Sequence, residues 1–284
     1  MYNPGVEEKM KKEAPSSRRR LPALPVCLTA AVLLAALTAG LSLFVLSGSG
    51  GVYADPELLR NFLPSDWLNL TAGVLFPAAG LILMLLRRPA GLPVLAGALF
   101  HGFYLNFPYL VAVPADGLFV FRLILTAGCL SALAGLLLSA KPSPELRNRA
   151  SAGAVRFSGT VLILLGALVL FRQAGLALKA ATGTGVVLPA DLALWIDDLV
   201  FAVPAMLLSG ILLLRRHPLG ETAGAAMLLA YGILSLELIP FLFIRAGLGS
   251  PPPAPADLAV LGFMGALCLV PFFLLLKPGK SRKY

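Results

Sequence analysis

Charge is scarce in this sequence. Asp, Glu, Lys and Arg together make up 13% of its 284 residues, about half the share of an average soluble domain. A chain so poor in charge cannot coat a folded surface with groups that water accepts. That excludes a soluble enzyme, a nucleic-acid-binding domain and a disordered segment. Histidine is scarcer still. The two copies, His101 and His217, give no basis for a His-rich metal centre or a haem held by two histidines. The three cysteines, Cys27, Cys129 and Cys268, lie inside apolar runs and never in C-x-x-C spacing. Neither a disulfide framework nor a metal knuckle is supported, and all three read as small hydrophobes. No nucleophile elbow, phosphate loop or H-E-x-x-H motif occurs. No cofactor is expected, and a non-enzyme is favoured over an enzyme.

What the sequence has in abundance is apolar length. Apolar residues make up 58% of the chain and the mean hydropathy is +0.87. A bilayer core takes about 20 apolar residues of helix, and eight stretches qualify, near 22–47, 68–86, 91–113, 117–139, 155–178, 191–214, 219–244 and 257–276. The expected fold is an all-α polytopic membrane protein with eight transmembrane helices. Arg87-Arg88-Pro89-Ala90 separates the second span from the third, and Arg215-Arg216-His217-Pro218 the sixth from the seventh. Each linker breaks one helix and starts the next.

The net charge of +9 sits in short clusters between the spans, without the aromatic interleaving that stacks on bases. It reads as topogenic charge, with the lipid bilayer as partner and no nucleic acid. With eight spans, 18 basic residues fall on the side of the two termini, and only Arg60, Lys179 and Arg245 on the other. That bias predicts a cytoplasmic (inner) membrane protein with both termini cytoplasmic. Residues 1–20 and 278–284 read as basic cytoplasmic tails. Arg18-Arg19-Arg20 before an apolar run suggests a signal peptide, but the run is longer than a signal sequence needs, and the first span is expected to be retained. Asp55-Pro56 reads as the start of a short helix whose Leu58, Leu59, Phe62 and Leu63 lie on the membrane surface.

The second half of the chain echoes the first. Trp67 and Trp195 are 128 apart, and so are Arg87 and Arg215. Pro77 matches Pro204 with a one-residue slip. Gly102 then matches Gly232, Pro108 matches Pro240, Cys129 matches Cys268 and Lys141-Pro142 matches Lys277-Pro278, all in one order. The pattern predicts two parallel four-helix repeats, 21–140 and 154–277, joined by a cytoplasmic linker at 141–153 and related by an axis along the membrane normal.

Ionisable groups inside a span are costly and need a partner or a wet cavity. The sixth span carries Asp197 and Asp198, the seventh Glu237, the third His101, the fourth Arg122, the fifth Arg172 and the second Asn69. At about 1.5 Å of rise per residue, the acids and the two arginines share a layer in the outer half of the membrane. Asp197, Asp198, Glu237, His101 and Asn69 are therefore the candidate ion- or substrate-binding residues, with Arg122 and Arg172 as charge partners. Asp191, Trp195 and Asp198 share one helical stripe, and Asp197 points about 100° away from it. Asp191 reads as the cap of the sixth helix.

The stretch from Asp198-Leu199 through G-I-L-L-L-R-R-H-P-L-G to Gly220 resembles a pattern in uncharacterised multi-span prokaryotic membrane proteins, and no activity comes with it. The expected function is transport of a small solute or ion, with proton coupling as one form of it, because a carboxylate desolvated in that layer suits proton exchange. The alternatives are a non-catalytic scaffold or partner-binding subunit, and an intramembrane enzyme acting on a lipid-linked substrate. Oligomeric state is not legible.

Overall fold

The computed structural model describes residues 23–48, 52–53, 55–139, 150–183 and 189–277. Both basic tails, most of the linker and the loop at 184–188 lie outside the described residues. Among the described residues there are eight helices long and apolar enough to cross a membrane. They are α1 Ala23–Ser47, α2 Pro56–Leu85, α3 Gly91–Ala112, α4 Phe119–Ser139, α5 Ala152–Ala181, α6 Pro189–Leu214, α7 Pro218–Gly247 and α8 Pro255–Leu276. The protein is a multi-pass membrane protein. Leu85, Leu138, Phe171 and Phe263 turn outward from the bundle, where only lipid gives them suitable surroundings.

The spans follow the apolar runs, with one difference. The segment expected to lie on the membrane surface instead continues into the second span as one helix of 30 residues, begun by Asp55 Oδ1 accepting from the Glu57 N–H (2.7 Å) and by Pro56 in the first turn. Phe62 is buried, and Leu58, Leu59 and Leu63 pack against its cluster with Tyr109 and Ala193. Burial against protein therefore replaces burial against headgroups. Pro64 and Pro77 sit inside this helix without ending it.

The helices form two closed rings. In one, α1 packs on α2, α2 on α3, α3 on α4 and α4 back on α1; in the other, α5, α6, α7 and α8 do the same. The rings meet where α3 packs on α7, flanked by α3 against α6 and α7 against α2. At this seam a Cβ added to Gly97 would lie 2.8 Å from the carbonyl oxygen of Ala226. Contact that close needs glycine.

Two turns share one construction. After α2, the Arg88 N–H donates to Leu83 O (2.8 Å) and the Arg87 N–H to Met84 O (3.0 Å); after α6, the His217 N–H donates to Leu212 O (2.9 Å) and the Arg216 N–H to Leu213 O (2.9 Å). Both are Schellman closures. The residue in the left-handed region is Arg87 (φ 53°) in the first and Arg216 (φ 52°) in the second. The geometric counterpart of Arg87 is thus Arg216 rather than Arg215, one residue later than the 128-residue spacing. α6 contains a π-helical turn over Asp198–Ala202, with the Val203 N–H donating to Asp198 O. Pro204 follows at once. It has no N–H to give, and its ring would collide with the carbonyl four residues earlier, so a widened turn relieves both problems.

Gly97→Ala should lower the melting temperature in detergent, at a cost of about 1–3 kcal/mol. Gly40→Ala, where an added Cβ meets nothing within 4 Å, should be neutral or slightly stabilising by helix propensity. Equal melting of the two variants would contradict the tight α3–α7 seam.

Candidate functional site

The π turn decides how α6 presents its acids. Asp191, Trp195 and Asp198 line one wall of a cavity of about 560 Å³, as their shared stripe requires. Asp191 lies in the first turn of the helix, not at its cap, where a negative charge complements the helix dipole. Asp197 points elsewhere and is fully buried (0% exposed).

Asp198 stands at the inner end of the cavity. Its Oδ1 accepts from the Tyr104 hydroxyl of α3 (2.8 Å), and its Oδ2 accepts from Gln173 Nε2 of α5. Three helices therefore close on one carboxylate. The cavity runs from here to the helix ends at Lys179 and Arg245 on the side that is poor in arginine, and Arg172 also lines it. Among the described residues Arg172 makes no ion pair with an acid; it is exposed and acts on Asp198 only through the electrostatic field.

Glu237 is answered by an imidazole. His101 Nε2 lies 2.7 Å from Glu237 Oε2, with the histidine 1% and the glutamate 8% exposed. The pair ties α3 to α7 at the seam between the rings. His101 Nδ1 and Glu237 Oε1 make no hydrogen bond within the described residues. Neither does either oxygen of Asp197, nor the Tyr231 hydroxyl, although Tyr231 packs edge-on against Tyr104 (6.2 Å between ring centroids). Asp197, Asp198, Tyr104 and Tyr231 are all within electrostatic reach of one another. The structure thus pairs His101 with Glu237 between α3 and α7 and sets Asp197 and Asp198 side by side on α6, beside Tyr104 and Tyr231.

The other expected members lie apart. Arg122 does not partner any of these acids. It donates from Nη2 to the Tyr53 hydroxyl (3.4 Å), lies 4.8 Å from the Tyr109 ring centroid, and reaches Asp116 at 3.9 Å. The reason is packing, since α4 rests on α1 and α3 and not on α6. Arg122 belongs to a second knot centred on Asp66, whose Oδ2 accepts from the Tyr53 hydroxyl (2.7 Å) and whose Oδ1 accepts from the Tyr109 hydroxyl (2.9 Å). Burial, with Asp66 beside it, pushes the Tyr53 phenol up, so it stays a neutral donor. Asn69 lines a small void with Asp66, Asn106 and Arg122, separate from the large cavity.

Sequence reasoning passed over Tyr104, Gln173, Tyr231, Asp66 and Tyr109. Gln173 carried a signal, an amide next to Arg172 in an apolar run; the tyrosines did not, because an aromatic residue in a span is ordinary. Among the described residues no three His, Cys, Asp or Glu side chains come together to hold a metal ion. No family model, no curated protein and no solved structure matches the chain.

Breaking a buried pair costs more than replacing it whole. Glu237→Leu alone should destabilise the protein by about 3–5 kcal/mol, and adding His101→Leu should recover most of that loss in detergent unfolding. Tyr104→Phe and Asp198→Ala should be non-additive in a double-mutant cycle, because they remove the same hydrogen bond. Simple addition would mean that the bond does not form.

Proposed function

We propose that this protein is a transporter of a small solute, with the cavity ending at Asp198 as the solute site and the buried acids beside it as proton-exchanging groups. The observation that carries the reading is Asp198 itself, a carboxylate placed where three helices meet and reached by a cavity that opens at one membrane face. Asp197 and Glu237, one residue away and on the adjoining helix, are shut off from that cavity and lack a cationic Lys or Arg partner among the described residues. Protonatable groups in such places mark proton and ion routes in membrane proteins. A scaffold gains nothing from an open cavity floored by a carboxylate. The knot of Asp66, Tyr53, Tyr109 and Arg122 is a better example of structural glue, since its carboxylate and guanidinium are met on several sides.

The arginine-rich side is taken as cytoplasmic, following the positive-inside bias; the membrane is then the cytoplasmic one and the cavity faces outward. The two rings are taken as copies of one four-helix unit. In support, the turns closing α2 and α6 share their hydrogen bonds at a spacing of 129 residues, and Gly97 meets Ala226, also 129 apart, across the seam. Gly102 faces Cys129 as Gly232 faces Cys268. On this reading the π turn is the one-residue insertion that moves the spacing from 128 at the tryptophans to 129 at the turns. An insertion of this kind re-aims the side chains beside it, and π-bulges frequently occur at functional sites.

Reconstituted vesicles loaded with a pH-sensitive dye test the reading. Against a panel of organic acids, amines and inorganic cations, the native protein should couple proton movement to at least one solute. Asp198→Asn and Glu237→Gln should each lose most of that flux while still folding. Equal flux in all three proteins, or no flux with any member of the panel, would refute it.

A further inference from the structure

The walls of the cavity carry more information than its floor. On α5 the residues facing it are Arg172, Gln173, Leu176 and Lys179, and on α7 they are Leu234, Leu238, Phe241 and Arg245. Both sets follow helical spacing, so each is one stripe along its helix. Lys179 and Arg245 stand two residues from the ends of α5 and α7. Leu234 lies eleven residues below Arg245, or roughly 16 Å along the helix. The cavity therefore has a basic mouth, an apolar middle and a polar floor.

Both oxygens of Asp198 are engaged by Tyr104 and Gln173, and Asp191 faces the positive end of its own helix. Neither Arg172 nor Arg245 pairs with an acid among the described residues. The Nε of Arg245 is buried without a hydrogen-bond acceptor, and an arginine so placed calls for an oxyanion. A volume of about 560 Å³ lies in the range of single-ligand sites, about 300–1,000 Å³. That is room for one alkyl chain and its head, and not for a lipid with two chains.

We infer that the cavity binds a single-chain amphiphile with an anionic head, carboxylate or phosphate, its head at Arg245 and its chain along Leu176, Leu234, Leu238 and Phe241. The inference takes the cavity of the transport reading as the ligand site and names the class of ligand. Such a molecule enters from the headgroup layer, at the height where Arg245 stands in the last turn of α7.

Trp195 lines the cavity, and the only other tryptophan, Trp67, does not. The full-length Trp67→Phe variant in vesicles thus reports on the site by fluorescence. A fatty acid brominated at its tail should quench Trp195 with a saturable curve, and Arg245→Gln should weaken that binding by about tenfold or more, the loss expected for one charge-assisted contact. Arg245→Lys should bind within a few-fold of the parent, which separates loss of charge from loss of fold. Four results would each overturn the inference: equal quenching by a brominated alkylammonium, equal quenching by a two-chain anionic lipid with brominated tails, quenching that never saturates, or an Arg245→Gln curve that overlays the parent. Quenching as expected, with flux unaffected by Asp198→Asn, would retain the ligand class and remove the transport reading. Proton-coupled flux with quenching by the cation alone would do the reverse.

Discussion

In hydrocarbon a carboxylate must find a donor or pay heavily for its charge. This chain meets that constraint three times without a Lys or Arg among the described residues within ion-pair distance of the carboxylate. Asp66 is met by two phenols, Asp198 by a phenol and an amide, and Glu237 by an imidazole. In each case the donors come from other parts of the chain, so each acid holds separate segments in register. Neutral donors satisfy hydrogen bonds without neutralising charge, and that keeps a site electrically responsive. Arg122 serves the Asp66 knot by lying over the Tyr109 ring and touching the Tyr53 hydroxyl. Asp197 is the exception, with neither oxygen bonded within the described residues.

The widened turn of α6 links this chemistry to the backbone. In a regular helix, neighbouring residues differ by about 100° in direction and nothing more. A π turn beginning at Asp198 adds a local change of phase, so the part of α6 that carries the two aspartates is rotated relative to the part that packs on α5 and α7 through Met206 and Leu213. Packing below and polar aim above are thereby set independently.

Much of the fold was legible because apolar length and basic linkers are one-dimensional signals. The eight spans, the two tight turns and the helices that bear the acids could be read along the chain. The continuity of α2 could not. Arg60, Ser65 and Asp66 dilute its first half, and Pro64 resembles a break, whereas Phe62 and Asp66 are buried by neighbours that only the tertiary structure supplies. Partners were the least legible. Equal depth in the membrane made Arg122 and the acids of α6 look like a set, but depth says nothing about which helix neighbours which. Asn69 likewise lines the small void with Asp66 and Arg122 and not the cavity at Asp198. The π turn left one trace in the sequence, Pro204, which became readable only with the backbone in view.

The Schellman closures have a mechanical consequence. A Cβ placed on Gly220 would lie 2.3 Å from the carbonyl carbon of Leu212, and one on Gly91 would lie 2.6 Å from the backbone nitrogen of Met84. Backbones in such contact do not shear, so α2 with α3, and α6 with α7, travel as stiff pairs. Those four helices supply most of the cavity wall, and α5 supplies the rest while belonging to neither hairpin. Any change in the width of the chamber therefore displaces whole helices against one another and loads the ties between them, the Gln173 bridge to Asp198 among them.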